Sequence, residues 1–342
     1  MLCSPLLRIL YPLSLVYGWG VALRLALYNR GICSARRLPC KVISIGNLTL
    51  GGSGKTPVVA YLAGMFTKAG KRVAILSRGY RGRAGAGTQL VSDGTNVLLS
   101  AKEAGDEPVM LARNLPGVPV ITNKDRYQAG LYACQRFQPQ LVLLDDGFQH
   151  LALIRDVNIL LVDEKILEND FPLFPAGPLR EPLRNGDRAD LIMYSSRGCS
   201  VDDLKRFGLN QPAVGFTVKP ARLVELGTGA ACPVSVLRGQ RVLAVAGIAR
   251  PERFFRTITE LGGDCKALSF PDHHLFRGRD YSKIGQAAAG CDMIVVTEKD
   301  AVRFDNRALA GWNIFSLGVE VSLSSGQERF MKTLNQLLYS AA

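Results

Sequence analysis

Apolar, β-branched residues gather along the chain in short runs, at 42–45, 72–76, 118–121, 141–144, 157–162 and 191–194. The runs are nearly continuous and lack the alternation of a half-exposed strand, which predicts strands buried on both faces. Between them lie longer stretches with apolar positions at helical spacing, such as 57–69 and 126–137. That rhythm predicts a mostly parallel sheet sandwiched by helices. After a looser stretch at 211–229, apolar runs return at 242–245, 293–296 and 313–315 with a helical pattern over 251–261, which predicts a smaller α/β unit. Residues 327–338 again show helical spacing and are expected to return to the first unit. The expected division is 1–30, an apolar helix; 31–213 with 322–342, the larger α/β domain; and 214–321, the smaller one with its linker strands.

Segment 6–27 breaks the rhythm, being apolar almost throughout. Arg8 and Arg24 stand sixteen positions apart, about 24 Å along a helix against a hydrocarbon core of about 30 Å. A signal peptide would have a basic start and a small-residue cleavage site, and neither is evident. An interfacial helix is the expectation, with Tyr11, Tyr17, Trp19 and Tyr28 at headgroup level and Arg8, Arg24 and Arg30 facing anionic phospholipid. The alternative is an apolar helix packed on its own domain.

Composition narrows the partners. The chain has 342 residues, 47% hydrophobic, with 42 Lys and Arg against 29 Asp and Glu, a formal charge of +13. That excess suits an anionic partner. The basic residues are spread along the whole chain without a nucleic-acid signature, so membrane and phosphate are expected, nucleic acid is not, and no obligate protein partner is called for. The eight cysteines lie far apart with no Cys-x-x-Cys, which fits reduced thiols better than a zinc site.

Gly51-Gly52-Ser53-Gly54-Lys55-Thr56 follows the first apolar run and opens the first helix. Glycines let backbone N–H groups close on phosphate oxygens, Lys55 can reach the β- and γ-phosphates, and the Thr56 hydroxyl can ligate Mg²⁺. Pro57 suits a first turn that needs no donor. The usual phosphate-loop pattern has glycine where this chain has Thr49, so the loop entrance differs. Asp145 and Asp146 end the run 141–144, at the strand edge where ligands gather in open α/β sheets. One carboxylate would hold Mg²⁺ through water and the other orient a base or nucleophile. Asp106 and Glu107 sit in a tight turn. His273 beside Asp272 makes a plausible acceptor for a hydroxyl proton, or else a capping or surface histidine, and His150 is open in the same way. Asn123-Lys124-Asp125 is close to the guanine-reading Asn-Lys-x-Asp, but the aspartate comes one position early; Thr297-Glu298-Lys299-Asp300 fails similarly, which favours adenine.

Together these residues resemble the tetraacyldisaccharide 4'-kinases of Gram-negative bacteria. The resemblance runs from Ser44-Ile45-Gly46-Asn47-Leu48-Thr49 through the glycine-rich loop, Ser77-Arg78-Gly79-Tyr80, Gly105-Asp106-Glu107-Pro108 and Asp125-Arg126. It continues in Asp145-Asp146-Gly147-Phe148-Gln149-His150, Pro178-Leu179-Arg180-Glu181-Pro182, Phe270-Pro271-Asp272-His273 and Thr297-Glu298-Lys299-Asp300-Ala301. It implies a P-loop fold, ATP and Mg²⁺ as cofactors, and phosphorylation of the 4'-hydroxyl of a tetraacylated disaccharide 1-phosphate to lipid IVA at the cytosolic face of the inner membrane. It also implies that Asp106 is the catalytic carboxylate, that Asp146 and His273 form a supporting acid–imidazole pair, and that Arg180 contacts phosphate with Lys55. Thr56, Glu107 and Asp145 would surround the metal. Two rivals are a P-loop GTPase or metallochaperone, which would want a guanine motif and Cys or His ligands, and a membrane-tethered nucleotide sensor, which would leave ATP unchanged.

Overall fold

Strands without an exposed face need cover on both sides, and in the computed structural model helices supply it. The structure describes residues 5–51, 54–80, 82–83, 85, 87–163, 166, 171–305, 311–324 and 326–339. Among these residues thirteen strands pair: β1 (Lys41–Asn47), β2 (Val73–Ser77), β3 (Gln89–Ser92), β4 (Val120–Thr122), β5 (Leu141–Asp145), β6 (Val157–Val162), β7 (Leu191–Ser195), β8 (Ala213–Glu225), β9 (Ala231–Pro233), β10 (Arg241–Ala246), β11 (Asp264–Ser269), β12 (Met293–Thr297) and β13 (Ile314–Leu323). Their order is β11-β10-β12-β13-β8-β7-β6-β1-β5-β2-β4-β3, with β9 on β8.

Alternation along β1 divides the larger core. Ile43 and Ile45 face Val58, Val59 and Leu62 of helix α2 (Lys55–Lys68) and Phe330 and Leu334 of the C-terminal helix Gln327–Tyr339. Val42 turns the other way, toward Ala129 and Ala133 of the helix Arg126–Phe137. The C-terminal helix thus closes the face that carries the glycine-rich loop. In the other half, Leu243 and Val245 pack with Ile284, while Val242 and Ala244 pack with Phe254 and Ile258.

The stretch 211–229, expected to be loose, is mostly strand. β8 runs for 13 residues, pairs in parallel with β7 and lies antiparallel to β13. β13 reaches Leu323, well past the expected 313–315, and pairs in parallel with β12 at its start. This ribbon carries one parallel stretch into the next, so the sheet is continuous. Gly215, Pro220 and the charges Lys219 and Arg222 hide the strand from an apolar reading. Proline lacks a ladder donor, and the register shift between Gly318 and Val319 falls opposite Arg222 and Pro220.

Helix α1 (Pro5–Asn29) lies apart from both cores. Residues 9–29 are long and apolar enough to cross a membrane, and little of that stretch is buried. Ile9, Val16, Trp19 and Leu23 are exposed. One stripe docks: Ser14 Oγ donates to Leu173 O at 2.8 Å and accepts from Ala176 N at 3.0 Å. Tyr17, expected at headgroup level, instead turns inward to donate to Arg180 O at 2.9 Å, its ring edge-on to Phe174. The Arg8 side chain lies outside the described residues.

Glycine is required at Gly46, where β1 runs into the phosphate loop. A Cβ there would stand 2.6 Å from Phe148 Cβ and 2.8 Å from its backbone nitrogen. Gly46→Ala is expected to cost about 1–3 kcal/mol by overpacking, read as a lower urea midpoint at unchanged m.

Candidate active site

The turn between β1 and α2 is shaped by glycines at Gly51 (φ 106°) and Gly54 (φ 78°), conformations that a side chain would strain. Gly52 and Ser53 of this motif lie outside the described residues. Thr49, the departure from the usual pattern, is buried and accepts from Asn47 Nδ2 at 2.9 Å. Flanking it, Leu50 N donates to Pro178 O and Arg180 N to Leu48 O, both at 2.7 Å. The loop entrance is therefore stitched to the segment that carries Arg180. Lys55, first in α2, donates to Asn47 Oδ1 at 3.1 Å and lies 3.5 Å from Asp146 Oδ1. Thr56, next in the helix, is buried.

Asp145 and Asp146 behave oppositely. Asp145 ends β5 fully enclosed, with one oxygen accepting from Ser77 Oγ at 3.3 Å and the other, Oδ1, buried without a hydrogen-bond partner. Burial first, then the neighbouring Glu107 and Asp146 charges, push its pKa up to about 7. Burial also raises Asp146, but the Lys55 ammonium and Arg180 guanidinium outweigh it and hold that carboxyl below its ordinary value. Arg180 Nη1 grips both Asp146 oxygens, at 3.0 and 2.8 Å. Asp146 has φ 54°, an uncommon backbone for a residue with a side chain.

The imidazole partner differs from expectation. His273 Nδ1 lies 2.8 Å from Asp106 Oδ2, at the start of helix Asp106–Asn114, and so pairs with Asp106 rather than Asp146. Asp146 is instead engaged by Lys55 and Arg180. Glu107 follows Asp106 and is near enough for its charge to act on Asp145, so both acidic pairs face one site. Burial, then the Arg126 charge, push the His150 pKa down to about 4, leaving that imidazole neutral near pH 7.

Three contributors escaped the sequence. Asn47 fixes Lys55, as above. Arg303, wholly buried, sets Nε 3.3 Å from Asp106 Oδ2 and Nη2 3.2 Å from Asp300 Oδ1. Lys299 Nζ lies 3.1 Å from His273 Nε2. The segment 297–300 was informative in one respect, since a buried acid three residues before an arginine in an apolar run needs a partner. Asp125, in the other guanine-like triplet, is a helix cap that accepts from Tyr127 N and Gln128 N.

A divalent cation fits these residues. The unpartnered buried Oδ1 of Asp145 is a hard anionic donor, with Glu107 and the Thr56 hydroxyl as further oxygens. Among the described residues no three His, Cys, Asp or Glu form a closed metal cage. Mg²⁺ is usually held by one or two carboxylates plus phosphate and water.

The family model for tetraacyldisaccharide-1-P 4'-kinase, LpxK, matches residues 6–339. A tetraacyldisaccharide 4'-kinase of Geobacter sulfurreducens is 46% identical over 297 residues, 84% of this chain and 81% of the relative. One from Desulfatibacillum aliphaticivorans is 38% identical over 344 residues, 96% and 93% of the two chains. A crystal structure of the "apo" form of LpxK from Aquifex aeolicus in complex with ATP superposes with a TM-score of 0.83 at 34% identity, over 98% of this chain and 100% of that one.

The raised pKa of Asp145 gives a prediction with a definite sign. Its folded value, about 7, lies above the ordinary aspartate value of 3.8, so the bound proton stabilises the fold fully below about pH 4 and that gain fades as pH rises toward 7. Asp145→Asn keeps the neutral shape, and should raise the Tm of metal-free protein at pH 8 but not at pH 4. The same change should weaken Mg²⁺-dependent ATP binding at least about tenfold, measured by titration calorimetry.

Proposed function

The chain belongs to the tetraacyldisaccharide-1-P 4'-kinase family, and from that premise we infer how its residues divide the work. The enzyme transfers the γ-phosphate of ATP to the 4'-hydroxyl of a tetraacylated disaccharide 1-phosphate in lipid A synthesis. The observation that carries the division of roles is that two acidic pairs meet at the phosphate loop with different partners. Asp146 faces Lys55 and Arg180, and Asp106 faces the His273 imidazole and Arg303.

Phosphoryl transfer needs positioning and charge neutralisation more than strong base chemistry. Lys55 and Arg180, held in place by Asp146, neutralise the phosphates. Thr56, Glu107 and Asp145 would hold Mg²⁺, which would supply positive charge beside the phosphates. Asp106 takes the proton of the 4'-hydroxyl as its oxygen bonds to the γ-phosphorus. The bond from that phosphorus to the β–γ bridging oxygen breaks, ADP leaves with the electron pair, and a sugar phosphomonoester remains. His273 keeps Asp106 oriented.

Helix α1 supports a reading in which the enzyme sits on the cytoplasmic face of the membrane. Its exposed Trp19, Leu23 and Val16 suit the acyl boundary, and Arg24 and Arg30 suit anionic phospholipid at about 1 kcal/mol each.

Incubation with γ-labelled ATP and the disaccharide lipid should move label onto lipid; label released only as inorganic phosphate would overturn the kinase reading. Asp106→Asn should lower kcat about 10²–10⁴-fold with little change in ATP affinity, whereas a change confined to ATP affinity would reassign Asp106 to cofactor binding. Trp19→Glu with Leu23→Glu, both on the exposed face, should release the protein from phosphatidylglycerol vesicles in a sedimentation assay while its Tm holds.

A further inference from the structure

We propose that Cys40 and Cys134 are a site of oxidative modification, a thiol pair that a hydroperoxide closes to a disulfide at the edge of the sheet opposite the phosphate loop. Their Sγ atoms lie 3.5 Å apart although 94 positions separate the two residues. Cys40 stands immediately before β1, and Cys134 lies in the last turns of helix Arg126–Phe137. Both residues are partly exposed and line one open cavity of about 670 Å³, wide enough for a small peroxide. The seven residues of β1 carry the chain about 20 Å from this edge to the phosphate loop. The pair is therefore remote from the nucleotide and acceptor groups.

The fold holds the two sulfurs in place from both sides. Lys41 N donates to Gln140 O at 3.2 Å and Val42 N to Asp156 Oδ2 at 2.8 Å, which pins the start of β1. Cys40 itself packs against the apolar cluster that contains Ala129 and Ala133 of the same helix. Gln138 N donates to Cys134 O at 3.2 Å where that helix ends, and Arg72 Nε donates to Gln138 O at 2.9 Å. To bond, the sulfurs must approach by about 1.5 Å, a movement that rotation about the two Cα–Cβ bonds can supply while strand and helix stay in place.

The cavity keeps these thiols slow to react until an oxidant arrives. Burial first, then the neighbouring sulfur and the Asp156 charge, push the Cys40 pKa up, and burial does the same to Cys134. The cations at the mouth are engaged elsewhere: Arg37 and Lys41 lie 3.3 and 3.2 Å from Asp156 Oδ1, and Arg72 serves Gln138. The hydrogen bond between the sulfurs raises Cys40 and lowers Cys134, so Cys134 is the attacking thiolate and the Cys40 S–H its donor. The Cys134 sulfur attacks one oxygen of hydrogen peroxide, the O–O bond breaks, and hydroxide leaves and takes up the thiol proton as water. Cys40 then attacks the sulfenic sulfur, the S–O bond breaks, and a second water leaves with the remaining thiol proton. Two thiols and one peroxide give one disulfide and two waters, with two electrons passing from sulfur to oxygen.

Joining residues 94 positions apart restricts the unfolded chain more than a short bridge would, so the bond should act as a staple. Full-length protein treated with hydrogen peroxide at about pH 8.5 should yield, after non-reducing trypsin digestion, residues 38–41 joined to 127–136 with two hydrogens lost. Its Tm should rise by at least about 5 °C and fall back on addition of dithiothreitol. Cys40→Ala and Cys134→Ser should each lose both the cross-link and the Tm rise, and Cys232→Ser should keep both. If Cys40 and Cys134 are recovered as free thiols or as sulfinic acids after other cysteines have reacted, the pair is not the modification site. If the cross-link forms and Tm stays level or falls, the bond strains the fold and the staple fails.

Discussion

Asp106 opens a helix packed on one half of the sheet, and the imidazole and guanidinium that hold its carboxylate come from the other. Enclosure makes ion pairing across that junction obligatory: the Arg303 side chain is wholly buried, so its charge needs Asp106 and Asp300 as partners. Around this contact the rest of the site makes sense. The phosphate loop and its two strand-end acids bring the nucleotide groups from one side. The Pro271–His274 turn and the segment 297–303 bring the proton-handling groups from the other, and the β8–β13 ribbon keeps both in one sheet.

Strain is concentrated where the chemistry is. Among the described residues three that are not glycine have positive φ: Gln138, Asp146 and His273. Gln138 ends a helix, where this conformation is common. The other two are site residues, each held by strong partners: Asp146 by Lys55 and Arg180, His273 by Asp106 and Lys299. A backbone that would relax in isolation is kept by charges that need its side chain just there.

How much of this could be read from the chain depended on how local each feature is. The strands at 42–45 and 141–144 were plain because unbroken apolar runs have few other uses, and the phosphate loop was plain because its motif sits between a strand and a helix. β8 was not, since Pro220 and its charged neighbours imitate a loop and its pairing comes from β13. The partner of His273 was also hidden. Two aspartates were eligible by type, and the pairing with Asp106 is a contact spanning 167 residues of sequence, while Asp146 is engaged by Lys55 and Arg180. Tyr17 was misplaced for the same reason, because an aromatic in an apolar helix suggests lipid until a distant carbonyl claims its hydroxyl.

That hydroxyl has an effect beyond packing. Tyr17 holds the carbonyl of Arg180, whose N–H pairs with the phosphate-loop entrance and whose guanidinium grips Asp146. One residue thus joins helix α1 to the catalytic centre, and in the proposed membrane-surface reading it sets how high that centre rides above the lipid. An acceptor embedded by its acyl chains is then met in a plane instead of a volume, and the search for it becomes two-dimensional.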